Sequence, residues 1–354
     1  MNKKPVLGIT MGDPSGIGPE IGVKALGQAK VYEICRPLVI GDAGVMERAA
    51  REAVKRQDIA IHPVSSVGEC LFRPGTIDVY DLRCIEAQKL KIGKVDAASG
   101  EAAFGSVKKA IELALSGEID ATITNPLNKE ALNLAGRHYA GHTEIYADLT
   151  KTRDYTMMLA DGELRVAHVS THVSLREACN RVKKDRVLRV IELAHSACVS
   201  FGVSEPRVAV AGLNPHAGEG GLFGQEEIEE ITPAIEAAQS KGINAIGPIP
   251  PDTVFAKALG GMYDIVIAMY HDQGHIPLKT LGFRYDKQAG KWQTISGVNI
   301  TLGLPIVRSS VDHGTAFDQA WQGTANESSL LNAIEYGVKL ALNETRAKAQ
   351  DKDG

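Results

Sequence analysis

The sequence has few cysteines and no pattern that would pair them. The five cysteines are Cys35, Cys70, Cys84, Cys179 and Cys198, and no two of them have CxxC spacing. An odd, scattered set argues against a disulfide framework and against a thiolate zinc site. We therefore expect buried, reduced thiols.

Long apolar runs and basic stripes are also missing. No apolar run reaches the roughly 18 residues that a membrane span needs, and the formal net charge is -4. Lysine and arginine form no stripe with interleaved aromatic residues. Neither a membrane nor nucleic acid is therefore an expected partner, and we expect a cytoplasmic protein.

The remaining composition is that of an ordinary globular protein. Hydrophobic residues make up 44% of the 354 residues, and 36 residues are glycine. A chain of this length exceeds the size at which one hydrophobic core usually stops growing. We expect two domains, or one large α/β domain with a cleft.

Five short apolar runs, rich in β-branched residues, predict buried strands. They cover residues 5–10, 119–124, 164–170, 208–213 and 265–269. Segments with helical periodicity, such as 102–115, lie between them, and this alternation predicts an α/β fold. In open α/β sheets, ligands bind at the carboxyl ends of the strands.

Three of these runs are each followed by a histidine: His172, His216 and His271. Each one taken alone is more typical of a structural histidine. Together they match a catalytic metal site, since three imidazoles on one divalent cation leave an open position. Asp272 adjoins His271 and would orient its ring, although a turn-forming role is equally compatible.

A glycine-rich turn runs from Gly12 and Asp13 to Glu20. The Gly12, Gly16 and Gly18 spacing fits neither GxGxxG nor GxxxxGK[ST]. A tight turn and an anion site at a helix N-terminus both remain open.

Several scattered donors predict an anionic substrate. Lys279, Arg308, His142 and Thr143 would hold a phosphate or carboxylate from several directions. Each also has an alternative role as a surface charge or a helix cap.

Five long motifs extend over nearly the whole chain. They are MGDPSGIGPE at 11–20, GHTE at 141–144, GLNPHAGE at 212–219, MYHDQG at 269–274 and SVDHGTAF at 310–317. Together they resemble the 4-hydroxythreonine-4-phosphate dehydrogenase (PdxA) family.

The resemblance implies a two-domain α/β/α fold of the isocitrate and isopropylmalate dehydrogenase type, with the active site in the interdomain cleft at a homodimer interface. The first domain would comprise residues 1–135 and 300–354. The second, residues 136–299, would carry the dimer interface.

The resemblance also assigns residues. The metal ligands would be His172, His216 and His271, shared between subunits; the substrate contacts would be His142, Thr143, Lys279, Asn299 and Arg308. The metal would be zinc, with cobalt or magnesium as alternatives. The catalytic group is unassigned, with Lys279 and Asp272 as candidates. The contacts of the cofactor, NAD or NADP, are also unassigned, with Gly12, Asp13, Asn214 and Asp252 as candidates.

The implied reaction oxidises a secondary alcohol β to a carboxylate, and the resulting ketone loses carbon dioxide. The first choice of substrate is 4-phosphohydroxy-L-threonine, in pyridoxal phosphate biosynthesis. Two departures favour other family members: Ser174 stands where the biosynthetic enzyme usually has proline, and residues 284–293 form an insertion. The alternatives are D-threonate or D-erythronate 4-phosphate, or an aromatic cis-dihydrodiol carboxylate. A three-histidine metallohydrolase, which needs no nicotinamide, is the alternative from another class.

Overall fold

A computed structural model of the chain describes residues 4–282, 285–287, 291–292 and 297–353. The strands are β1 (Val6–Thr10), β2 (Arg36–Gly41), β3 (Ala60–Val64), β4 (Thr76–Asp81), β5 (Ala121–Thr124), β6 (Thr156–Asp161), β7 (Leu164–His168), β8 (Val208–Ala211), β9 (Ala245–Ile249), β10 (Ile265–Ala268), β11 (Tyr285–Asp286), β12 (Lys291–Trp292), β13 (Val298–Leu302) and β14 (Arg308–Val311). The α-helices are α1 (Gly18–Leu26), α2 (Ala29–Ile34), α3 (Ala43–Arg48), α4 (Ala97–Leu115), α5 (Lys129–Leu134), α6 (His142–Leu149), α7 (Leu175–Arg181), α8 (Lys184–Ser200), α9 (Thr232–Ser240), α10 (Pro251–Leu259), α11 (His271–Gly282) and α12 (Ser328–Asp353).

The first of two compact units comprises Met1–Thr152, Thr294–Val298 and Leu304–Gly354. Its strands lie in the order β3-β4-β2-β1-β5-β14, and the paired neighbours are parallel. Parallel neighbours need crossover connections, and helices such as α1 and α4 supply them. The apolar runs at β1 and β5 are fully buried, which confirms the predicted core strands.

The second unit comprises Arg153–Gln293 and Asn299–Gly303. Its strand order is β13-β6-β7-β10-β8-β9. Strands β7, β10, β8 and β9 are parallel to one another, whereas β6 and β7 form an antiparallel pair. Leu159, Val166 and Val266 are among the buried residues of its hydrophobic core. The α/β class predicted from the sequence is confirmed.

The boundary between the units differs from the one expected at residues 135 and 136. It lies between Thr152 and Arg153, because α6 packs into the core of the first unit. Ile145 and Tyr146 of α6 are fully buried in a cluster with Phe104. Residues 300–303 likewise fall in the second unit, although the sequence assigned them to the first.

The insertion at 284–293 contains an antiparallel pair, β11 with β12. Residues 284, 288–290 and 293 of the insertion lie outside the described residues. Among the described residues, none of the helices is both long and apolar enough to cross a membrane.

Candidate active site

The carboxyl ends of three neighbouring strands carry the three predicted metal ligands. Strands β7, β10 and β8 lie side by side and parallel, so the segments that follow them leave the same edge of the sheet. His172 follows β7, His271 begins the helix after β10, and His216 follows β8. The three histidines therefore follow three adjacent strand ends.

His172 and His271 share one cavity of about 440 Å³ with Ser174 and Tyr270. Their ring centroids are 5.8 Å apart. The Nδ1 of His271 lies 2.7 Å from Oδ1 of Asp272. Because a carboxylate can only accept, Nδ1 carries a proton, and in the neutral ring Nε2 is then the nitrogen with the lone pair that a metal ligand needs. Asp272 therefore makes the orienting contact expected of it.

His216 does not join the other two histidines within one chain. Among the described residues, no three His, Cys, Asp or Glu side chains lie close enough to hold one metal ion. The His216 ring is exposed, and its centroid lies 6.3 Å from that of Phe223. Two of the three predicted ligands are thus brought together in each chain. Two neighbouring imidazoles with a free Nε2 on one of them fit part of a divalent cation's ligand set.

The loop that carries His216 has an uncommon backbone. Six consecutive residues, 216–221, have positive φ, and three of them are not glycine. The buried Glu227 accepts hydrogen bonds from the backbone N–H groups of Leu213 and Asn214, each at 2.8 Å. The Asn214 side-chain amide also donates to it, at 2.9 Å. Asn214, a cofactor candidate, thus has its amide group engaged in holding the loop.

Gln273 connects two of the strand ends. Its Nε2 donates to the Gly212 carbonyl at 2.8 Å, and its Oε1 accepts from the Met269 backbone N–H at 2.6 Å. The end of β8 is thereby tied to the end of β10. Sequence reasoning missed both Gln273, which stands in the MYHDQG motif, and Glu227, which follows the GLNPHAGE motif.

Two more histidines, missed from the sequence, lie beside His271. The ring of His275 stacks on the ring of His271 with centroids 3.7 Å apart, and the ring of His168 lies 4.8 Å from that of His275. Burial lowers the pKa of His168 to about 3 and that of His275 to about 4, so both rings are neutral at neutral pH.

The first unit brings together three of the predicted substrate contacts. Arg308, which is 2% exposed, donates to Thr143 Oγ1 at 3.4 Å and to Thr124 Oγ1 at 2.9 Å. Its guanidinium carbon lies 5.5 Å from the centroid of the Tyr146 ring. Burial lowers the pKa of Arg308 to about 10, which leaves it charged at neutral pH. Burial and the Arg308 charge hold the pKa of His142 well below its usual value. A fixed cation beside a hydroxyl and a neutral imidazole suits a phosphate or carboxylate.

The other predicted contacts, Lys279 and Asn299, belong to the second unit. Lys279 is an exposed residue in the last turn of α11, and the Nδ2 of Asn299 donates to the sulfur of Met157 at 2.8 Å.

The remaining cofactor candidates are spread over both units. Gly12 has a φ of 76°, and a Cβ there would lie 2.6 Å from the Pro126 carbonyl, so only glycine fits this turn. Asp13 is fully buried, and its Oδ1 accepts from the Ser15 backbone N–H. Asp252 is exposed in the first turn of α10, a position that favours acidic residues.

Comparison with known proteins decides the family. A family model described as the pyridoxal phosphate biosynthetic protein PdxA matches residues 33–337. The chain belongs to the PdxA family. The family resemblance read from the five motifs is therefore confirmed.

Members of the PdxA family with high similarity have two different names. D-Threonate 4-phosphate dehydrogenase from Pectobacterium atrosepticum is 48% identical, over 95% of this chain and 99% of the relative. The Salmonella typhimurium enzyme of the same name is 49% identical, over 94% of this chain and 98% of the relative. A solved structure of 4-hydroxythreonine-4-phosphate dehydrogenase from Klebsiella pneumoniae is 44% identical, covers 96% of this chain and 100% of its own, and has a TM-score of 0.83. All three are dehydrogenases, and this PdxA-family chain is an enzyme of that class.

Proposed function

We propose that the chain is an NAD-dependent dehydrogenase that oxidises and decarboxylates a four-carbon hydroxy acid 4-phosphate with the help of a divalent cation. One observation carries the proposal. His172 and His271 share a cavity at adjacent strand ends, and Asp272 fixes the tautomer that leaves Nε2 of His271 free to bind a metal.

Among such acids we propose D-threonate 4-phosphate as the substrate. The curated relatives at 48–49% identity carry that name. Ser174 supports the choice from the chain itself, since it departs from the biosynthetic pattern and lines the cavity with His172 and His271. Its hydroxyl caps α7 by accepting from the Glu177 backbone N–H.

A second candidate is 4-phosphohydroxy-L-threonine, as in pyridoxal phosphate biosynthesis. The similarity to the Klebsiella pneumoniae structure and the five intact motifs favour it. The two substrates differ at C2, which bears a neutral hydroxyl in threonate and an ammonium group in hydroxythreonine. Discrimination between the two substrates therefore depends on whether the side chains around C2 favour a positively charged or a neutral group there.

The roles of the side chains follow from their chemistry. Arg308 and Thr143 bind the phosphate, with His142 as a neutral partner. A divalent cation, zinc in the first instance, would polarise the oxygen at the reacting carbon and stabilise the negative charge that develops there. The nicotinamide of NAD would accept the hydride. Oδ1 of Asp272 already accepts a hydrogen bond from His271, so of the two candidates we propose Lys279 for proton transfer from the alcohol.

We further propose a homodimer in which the two subunits share each cation. His216 is exposed and lies near Phe223, in a loop where Leu222 is 73% and Phe223 48% exposed. Exposed apolar side chains of this size favour burial against a partner. A second copy would then bring its own His216 to the His172–His271 pair.

The test is a substrate panel followed through the absorbance of reduced nicotinamide. D-Threonate 4-phosphate, D-erythronate 4-phosphate and 4-phosphohydroxy-L-threonine are compared with their unphosphorylated forms, with NAD and with NADP. Protein treated with a chelator is then assayed again after adding Zn²⁺, Co²⁺ or Mg²⁺. We expect reduction of NAD with D-threonate 4-phosphate, loss with chelator and recovery with metal.

The other outcomes contradict the proposal in different ways. Hydrolysis without nicotinamide reduction would indicate the metallohydrolase. A higher kcat/KM for an aromatic cis-dihydrodiol carboxylate would indicate the unphosphorylated branch. A higher kcat/KM for 4-phosphohydroxy-L-threonine would replace the first candidate with the second.

A further inference from the structure

Four histidine rings lie in succession beside the proposed metal site. The centroid distances are 4.8 Å from His168 to His275, 3.7 Å from His275 to His271 and 5.8 Å from His271 to His172. The series, here called the histidine column, runs from a fully buried ring to a ring that lines the cavity. Only the last two of its members are predicted metal ligands.

His275 contacts the face of the His271 ring. The two rings are nearly parallel, with an interplanar angle of 11°. Both residues belong to α11, four positions apart, so they lie on the same side of the helix. Nδ1 of His275 donates to the backbone carbonyl of His271 at 2.9 Å, which fixes the plane of the His275 ring.

His168 supports His275 from the interior. It is fully buried, and its Nδ1 donates to the Met157 carbonyl at 3.3 Å. A Cβ on Gly274 would lie 2.3 Å from Nε2 of His168, so the first turn of α11 rests directly on this ring. The position of α11, and with it His275, is therefore set by a side chain of strand β7.

We propose that His275 is a positioning residue for the metal ligand His271. Asp272 holds the edge of the His271 ring through Nδ1, but Asp272 is exposed and one hydrogen bond leaves the ring free to tilt. The parallel face of His275 removes that freedom. The loss of conformational entropy that fixes the orientation of the His271 ring then occurs when the chain folds, and metal binding no longer includes it. This inference rests on the proposed metal function of His271.

His275 could position His271 through the face of its ring or through its Nδ1 hydrogen bond. Two substitutions distinguish these roles. His275→Phe keeps a flat ring against His271 and removes the Nδ1 donor. His275→Asn keeps a donor near the Nδ1 position and removes the ring. His138→Ala is the control, since His138 is an exposed histidine of the first unit whose ring contacts Asn133.

Binding of Co²⁺ to the full-length protein, with its visible absorption spectrum, is the measurement. We expect His275→Phe to stay within about threefold of wild-type affinity and to keep the spectrum. His275→Asn should weaken binding by about 10- to 100-fold and change the spectrum, the range found when groups that orient a metal ligand are removed. His138→Ala should match wild type. His275→Tyr replaces His275→Phe as the ring-bearing variant if the latter does not fold.

Equal losses of Co²⁺ affinity in His275→Phe and His275→Asn, or unchanged affinity and spectrum in both, would overturn the proposal. If both variants keep their Co²⁺ affinity but melt at a lower temperature, His275 has a structural role only. The metal function itself is tested by wild type and His271→Ala. If wild type binds no Co²⁺, or if His271→Ala binds it as tightly as wild type, His271 is not a metal ligand. The positioning role of His275 is then also wrong.

Discussion

The loop that carries His216 is held in a strained conformation by one carboxylate, and removing that carboxylate should release it. His216, Ala217 and Glu219 have φ values of 54°, 55° and 44°. Left-handed backbone costs an L-residue roughly 1–2 kcal/mol, so these three positions cost about 3–6 kcal/mol. Such a cost persists only where other contacts offset it.

Glu227 provides the offsetting contacts. It is 3% exposed and accepts two backbone N–H groups and the Asn214 amide. A hydrogen bond to a charged group contributes roughly 1.5–3 kcal/mol, so three contribute about 4.5–9 kcal/mol. These hydrogen bonds are of the size needed to offset the strain. Gly218 must lack a Cβ for this arrangement, because a Cβ there would lie 2.7 Å from Oε2 of Glu227.

We expect Glu227→Ala to lower the free energy of unfolding by about 2–4 kcal/mol. The loss is smaller than the sum of the three hydrogen bonds, because a surface loop relaxes and lets water reach the freed donors. Urea unfolding measures it through the midpoint at constant slope. Co²⁺ affinity should fall as well, since His216 loses its fixed position.

Glu226→Ala is the matched control. Glu226 also accepts from the Asn214 amide, at 2.7 Å, but the backbone donors of the loop go to Glu227. Its loss should stay below about 1 kcal/mol. Equal effects of the two substitutions, or a Glu227→Ala protein within about 0.5 kcal/mol of wild type, would refute the reasoning.

Three further predictions concern assembly, substrate and pH. Mixing inactive His172→Ala and His216→Ala chains should restore about a quarter of wild-type activity, because half of the dimers are mixed and each mixed dimer has one intact site of two. His172→Ala mixed with His271→Ala should restore no activity. The opposite pattern would contradict the proposed sharing of the cation between subunits. Arg308→Lys should lower kcat/KM at least about tenfold for the phosphorylated substrate and leave kcat/KM for the unphosphorylated substrate unchanged, since lysine lacks the planar set of donors of a guanidinium group. Equal losses of kcat/KM for both substrates would show that Arg308 does not bind the phosphate. Burial raises the pKa of Asp13 to about 6 from 3.8, so the folded state binds this proton more tightly than the unfolded state. This carboxyl should therefore lower the free energy of unfolding by about 2 kcal/mol as the pH rises from 4 to 6, and Asp13→Asn should remove that contribution from the pH dependence of urea unfolding.

The features that the sequence revealed are those that depend on local pattern. The runs at β1, β5, β7, β8 and β10 are mostly apolar, and each is a strand whose residues are buried except for the half-buried Arg165 of β7. Because β7, β10 and β8 are parallel neighbours, the histidine after each one reaches the same edge of the sheet. Pattern therefore identified the edge and the side chains at it.

Features that depend on distant contacts were not predictable. The domain boundary at Thr152 follows from the burial of Ile145 and Tyr146 against Phe104, some forty residues earlier in the chain. His168 and His275 stand inside a strand and a helix, where a histidine has no distinctive spacing. The positive φ values at Ala217 and Glu219 were equally hidden, because neither residue type signals that conformation.

Gln273 illustrates why ligands are easier to find than the residues that hold them. Histidine is a preferred metal ligand, so its chemistry limits the roles that it can have at a strand end. An amide has no such preference, and its role depends on what its two ends reach. Gln273 reaches the Gly212 carbonyl, 61 residues away, and the nearby Met269 backbone N–H. It satisfies two buried backbone groups and joins the segments that lead to His216 and His271, so the geometry of the ligands depends on a residue that only the folded chain identifies.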